Sequence, residues 1–206
     1  PKVLALKKHI QRINPEAKVE AIQANLDQNN AQELVGKVDI IFDTIDFLDL
    51  EAILALHTNA REQRKAVFTA LSIGFGAGVL YFPAGTSASL TDVIAADVEH
   101  AQDEGDASYA NVFGKIMSRI GAHLDRQVVE QVAKALTIME DGRPCPASQI
   151  AVGSFTVAAL AVAMMHDMLA GMEVPAAPDM VVHSFRTHTT KLVNICLLYT
   201  SDAADD

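Results

Sequence analysis

The run Val38-Asp39-Ile40-Ile41-Phe42-Asp43 limits what this chain can fold into more than any other segment. It is short, β-branched and apolar at successive positions, with carboxylates in and after it. That pattern reads as a strand buried on both faces, as in a parallel sheet covered by helices. Helical spacing follows over residues 48–63, and then a second strand, Ala66-Val67-Phe68-Thr69-Ala70. Strand, helix, strand is the repeating unit of an α/β fold.

The rest of the chain fits that frame. Val3, Leu6, Ile10 and Ile13 lie at helical spacing, opposite Lys7, Lys8, Gln11 and Arg12, and Asn14-Pro15 stops the helix. Residues 18–24 alternate Val19 and Ala21 against polar neighbours and read as a short strand. Residues 27–35 read as a helix with Asp27 as its N-cap. Gly74-Phe75-Gly76-Ala77-Gly78 reads as a glycine-rich turn, followed by the strand Val79-Leu80-Tyr81-Phe82, which Pro83 ends. Further on, helices are expected over residues 109–121 and 126–139, a turn-rich break over 141–146, and a long apolar helix over 147–169 with Gly171 as its stop. A hairpin of two strands, residues 180–186 and 189–195, closes the pattern. The expected fold is therefore α/β: a doubly wound, mostly parallel, Rossmann-like sheet with a helical insertion (residues 94–145) before a long buried helix. Residues 150–165 are nearly all apolar, but the stretch falls short of the ~18–20 residues of a spanning helix and contains Ser154 and Thr156. It is expected to be a core helix, with no membrane involved.

Composition narrows the function. A chain of 206 residues, 50% hydrophobic and 20% charged, suits one domain with a sizeable core. The formal net charge of −10, with no basic cluster, argues against nucleic-acid binding. Two cysteines, in no Cys-x-x-Cys pair, argue against a disulfide framework and a structural zinc site and point to a reducing cytoplasm. No signal peptide opens the chain, which starts Pro1-Lys2-Val3.

The residues with the most chemistry are Asp43-Thr44-Ile45-Asp46, at the end of the predicted strand. In doubly wound sheets ligands sit outside the carboxyl ends of strands, where a carboxylate can hold Mg²⁺ and orient a nucleotide phosphate. Asp43 or Asp46 serves equally well as the cap of the next helix. Both readings stand on spacing alone. Cys145, beside Arg143 and just before a helix start, is a candidate thiol for receiving an activated carboxyl group. The histidines show no ligand spacing, and His183 and His188 read as structural.

Pro1-Lys2-Val3, Ile13-Asn14-Pro15, Val38 to Asp46, and Gly74-Phe75-Gly76-Ala77-Gly78-Val79-Leu80, taken in order, resemble the ThiF/MoeB/HesA family, bacterial relatives of ubiquitin-activating enzymes. The likeness runs over residues 1–94 and resumes at residues 146–171. It implies a protein that uses ATP and Mg²⁺ to adenylate the C-terminal carboxylate of a small ubiquitin-like or sulfur-carrier protein or peptide, and that works as a homodimer. It further implies that Lys2 is the phosphate-binding lysine and Asp46 the metal-binding aspartate. Read without the resemblance, Lys2 is a solvated residue at a helix start.

The departures bear on activity. The family's glycine-rich phosphate loop would precede residue 1, so residues 1–195 are expected to form a partial adenylation domain, inactive alone. Phe47 stands where the family commonly has Asn, and the zinc-binding cysteine pairs have no match. Residues 196–206 match no element period and resemble the translation of a sequencing adapter, so a non-native tail is expected there. The competing reading is a non-catalytic homologue that keeps the fold for dimerisation or partner docking. A dinucleotide-binding oxidoreductase rests on fold analogy alone.

Overall fold

The computed structural model describes residues 1–46, 49–88, 90, 93, 121, 126–140, 143 and 150–195. Along the chain these form α1 (Lys2–Ile13), α2 (Ala31–Gly36), β1 (Ile40–Asp43), α3 (Leu50–Glu62), β2 (Ala66–Ser72), β3 (Gly76–Phe82), α4 (Arg126–Glu140), α5 (Ala151–Leu169), β4 (Asp179–Ser184) and β5 (Thr189–Asn194). The five strands make one sheet in the order β1-β2-β3-β4-β5. Helices cover both faces. On one side Val35 of α2 and Ile53, Leu56 and Ala60 of α3 close over Ile41, Val67, Leu80 and Phe82. On the other, Ala161 and Met164 of α5 close over Ala66, Phe68, Val79 and Tyr81. This is the α/β architecture that the βαβ pattern predicts.

The sheet is mixed rather than mostly parallel. Among the described strands only β1 and β2 run parallel, with Ile40 opposite Ala66 and Asp43 opposite Thr69. The pairings β2–β3, β3–β4 and β4–β5 are antiparallel. The physical reason lies in one loop. Three residues, Ile73 to Phe75, separate β2 from β3. A parallel return needs a crossover of a dozen or more residues, so so short a link forces a hairpin. The predicted turn over residues 74–78 is also shorter than its glycine content suggests, because β3 begins at Gly76. Gly74 carries the turn with φ +69°, a left-handed conformation that glycine adopts at no steric cost.

Side-chain alternation ties the faces together. Phe68 on β2 is fully buried and stacks on Phe42 of β1 and Tyr81 of β3, at ring-centroid separations of 5.5 and 4.6 Å. Those three are partners in register, so one aromatic row crosses three strands on the α5 face. The opposite face of the same strands carries Ile41, Asp43, Val67 and Thr69 toward α3.

Three expected elements differ. Residues 18–24 form no strand, although Val19 and Ala21 are half-buried between exposed Lys18 and Glu20. Alternation supplies a buried face, but a strand also needs a neighbouring backbone to pair with. Asp27 does not cap α2 directly. Its carboxylate accepts from the Asn29 and Asn30 amides at 2.8 and 3.1 Å, a turn that hands over to α2 at Ala31. The long apolar helix is only partly a core helix. Gly153, Thr156, Ala161 and Met164 of α5 are buried, while Phe155 is 76% exposed, Val162 52% and Leu169 66%. A helix lying on one face of a sheet has only one stripe covered. By length and composition α5 is long and apolar enough to cross a membrane, but it is packed on β2 and β3. The expected β4–β5 hairpin and the 126–139 helix are present, and Gly171 ends α5 with φ +72°. The helix expected over 109–121, most of the 94–145 insertion and the 196–206 tail lie outside the described residues.

Candidate functional site

The carboxyl end of β1 is built around Asp43, which is 2% exposed. Parallel register puts it beside Thr69 of β2, and helical spacing does the rest. Ile53 and Ala60 mark the buried stripe of α3, and His57, four residues after one and three before the other, falls within it. The three polar side chains therefore meet under α3. Thr69 Oγ1 donates to Asp43 Oδ2 at 3.2 Å, and His57 Nε2 lies 3.1 Å from the same oxygen and 3.0 Å from Thr69 Oγ1. With Asp43 as a carboxylate, which only accepts, the His57–Asp43 contact is assigned with Nε2–H as donor. The His57 ring also meets Phe82 edge-on at 5.1 Å. All three groups are buried and each has partners, as buried polar groups require.

This trio is not a nucleophilic triad. In such a relay the acid holds one ring nitrogen and the nucleophile faces the other. Here the carboxylate and the hydroxyl share Nε2, and Thr69 is buried among core residues.

The other carboxylate oxygen reaches outward. Asp43 Oδ1 accepts from the Ile45 amide at 3.0 Å, closing an Asx-type turn at the strand end. Ile45 is half-buried against the core under α3. Asp46 follows, exposed, at the carboxyl end of the parallel pair. The Asp46 carbonyl accepts from the Asp49 amide at 2.8 Å. The helix cap is Asp49, whose side chain accepts from the Ala52 amide at 3.2 Å. The cap of α3 is thus a third aspartate, Asp49. Phe47, the residue standing in place of the family's Asn, lies outside the described residues.

The other side of this sheet end is also fixed. The β2–β3 turn abuts the first turn of α5, where a Cβ on Gly153 would collide with Ser72 Oγ and the Gly74 carbonyl. Phe185, just past β4, donates its amide to the Phe75 carbonyl at 2.9 Å, and Arg186 lies 4.3 Å over the Phe75 ring.

Lys2 opens α1 and is exposed, as are most residues of that helix, which buries none. The described contacts do not bring Lys2 to Asp46. Cys145 lies outside the described residues. His183 Nδ1 is 2.9 Å from Thr190 Oγ1, and its ring packs edge-on against Phe185, while His188 sits in the β4–β5 turn with φ +52°. Among the described residues no three His, Cys, Asp or Glu side chains cluster as metal ligands. His57 and Thr69 are the residues that sequence reasoning missed. The available signal was a histidine inside the apolar stripe of α3 and a threonine four places into a buried strand.

Comparison with known proteins rests on this fold. No curated protein matches the chain. The crystal structure of selenomethionine PaaA superimposes with a TM-score of 0.56 at 17% identity, covering 94% of this chain and 55% of PaaA. That likeness concerns the fold, and the chain spans just over half of PaaA. The model of the ThiF family matches residues 1–197. With nearly the whole chain matched, the protein belongs to the ThiF family.

Proposed function

We propose that this chain serves an ATP-dependent adenylyltransferase that activates the C-terminal carboxylate of a small ubiquitin-like or sulfur-carrier protein or peptide. The observation that carries the reading is Asp46, exposed at the carboxyl end of β1 on a turn anchored in the core, in a chain of the ThiF family. Such a position is where doubly wound sheets present groups to ligands.

The donor set fits Mg²⁺. That ion keeps several waters and is commonly held by one or two carboxylates together with substrate phosphates. Asp46 offers one exposed carboxylate of that kind. When bound, the ion supplies positive charge against the developing charge on the phosphate oxygens. Asp46 would hold it in place, and Lys2 would add a second cation toward the phosphates. In the reaction the substrate carboxylate oxygen bonds to the α-phosphorus as the bond to pyrophosphate breaks.

The proposed setting is the cytoplasm, without membrane or nucleic acid. The partner beyond the substrate is a second copy of the chain, seated on the exposed apolar face of α5, where Phe155 and Val162 offer anchors. That same face favours the alternative, a homologue whose role is docking rather than catalysis. Carboxylate-dependent exchange of labelled pyrophosphate into ATP by the full-length protein separates the two. Exchange that Mg²⁺ supports and a chelator stops is the expected result. Its absence with a panel of sulfur-carrier proteins and peptides would leave only docking.

A further inference from the structure

Asp43, His57 and Thr69 take no part in the chemistry above, since all three are buried. Their presence still needs a reason. An apolar side chain in each place would cost less than a carboxylate, an imidazole and a hydroxyl taken out of water. Other uses fail on geometry: both neighbours of His57 share one ring nitrogen, and the two possible metal ligands, Asp43 and His57, have no third among the described residues.

The arrangement has a direction. Oδ2 of Asp43 is held by donors from two elements, His57 of α3 and Thr69 of β2. These bonds orient the carboxylate, and its other oxygen accepts from the Ile45 amide. The half-buried Ile45 side chain packs against the core beneath α3, and the Asp46 carbonyl is tied to the Asp49 amide at the start of that helix. The turn before Asp46 and the Asp46 carbonyl are thereby tied down, while the Asp46 side chain is exposed.

We propose that the Asp43–His57–Thr69 network is the positioning device for Asp46, with the Asp43 carboxylate setting the turn that presents Asp46 to a divalent cation bound with nucleotide phosphates. The inference rests on the adenylation reading for the identity of that ligand, though not for the turn itself. Partners that orient a metal-binding carboxylate commonly change affinity or activity by about 10–100-fold when removed.

Thr69→Val removes one donor to Asp43 at nearly constant volume, and Thr69→Ser keeps it. Two quantities are read on each: hydrogen exchange of the Ile45 amide in this chain, and the Mg²⁺ concentration giving half-maximal pyrophosphate exchange in the full-length protein. In Thr69→Val the Ile45 amide is expected to exchange about tenfold faster while the Phe68 amide in the sheet keeps its rate. The Mg²⁺ requirement is expected to rise about tenfold with little change in kcat at saturating Mg²⁺, and Thr69→Ser should restore both. His57→Leu, which withdraws the other donor, gives the same reading if Thr69→Val does not fold. A folded variant with an unchanged Ile45 amide would overturn the positioning role. A faster amide with an unchanged Mg²⁺ requirement would overturn the link to the cation. Wild-type protein lacking Mg²⁺-dependent exchange altogether is a failure of the adenylation reading, and the amide rates still decide the turn.

Discussion

Single side chains in this protein show how one residue type takes different roles according to its surroundings. Three aspartates lie within seven residues: Asp43 is buried and bonded, Asp46 is exposed past the carboxyl end of β1, and Asp49 caps α3. The sequence placed chemistry at Asp43 to Asp46, but did not divide it. The division depends on Thr69 and His57, distant in sequence and joined to Asp43 only once strand register and helix rotation are fixed. Burial has another consequence at Tyr81, where loss of water around the phenol pushes its pKa above the ordinary value. A group raised in the folded state keeps its contribution below the unfolded pKa and loses it as pH rises. Stability should therefore hold up to about pH 10 and then decline as the unfolded chain ionises first. Tyr81→Phe should flatten that decline, measured as urea midpoints between neutral and alkaline pH. An equally steep decline in the variant would remove Tyr81 as its source. On the exposed surface of α2, the Lys37 ammonium, 2.7 Å from Glu33, lowers the Glu33 carboxyl by hydrogen bonding and charge. Solvent and salt screen such a pair.

Elements were legible where period and length agreed. α1, α3, α4, β1 and the β4–β5 hairpin form close to where spacing puts them. The misreadings share a cause, since each depended on what lies beside the element. Val19 and Ala21 alternate correctly but find no ladder. The glycines at 76 and 78 read as a turn, whereas both belong to β3. The direction of β3 followed from the length of a loop that composition had extended. α3 provides a test at this scale. Its start is fixed by the Asp49 cap, and replacing such a cap with alanine costs roughly 0.5–2 kcal/mol. Asp49→Ala is expected to lower stability by about 1 kcal/mol in urea unfolding. A loss under about 0.5 kcal/mol, the range of neutral surface changes, would show that α3 is held by packing alone.

For the molecule as a whole, the two faces of the sheet differ in how completely they are covered. The α2–α3 side buries a large cluster that includes Leu90 and Val93, while α5 covers its side and leaves Phe155, Val162 and Leu169 exposed. Reading α5 as fully buried assumed that an apolar helix is surrounded by its own chain. The proposed dimer seats this face against its own copy across a two-fold axis. Phe155→Asp with Val162→Asp is expected to weaken self-association of the full-length protein at least tenfold, which corresponds to about 1.4 kcal/mol. Sedimentation velocity over a concentration series reads this directly. A double variant that dimerises as strongly as the parent would move the interface elsewhere.

Residue, element and fold converge on one point, the exposed carboxylate at the end of β1. The most direct measurement is pyrophosphate exchange by the Asp46→Ala protein, with circular dichroism and the urea midpoint confirming that the variant is folded. Removing a group that stabilises charge in the reacting complex commonly costs about 10²–10³-fold in rate. A folded Asp46→Ala protein whose exchange falls by at least about 100-fold is the predicted result. Exchange at the parent rate in that folded variant would contradict Asp46 as the metal-binding group.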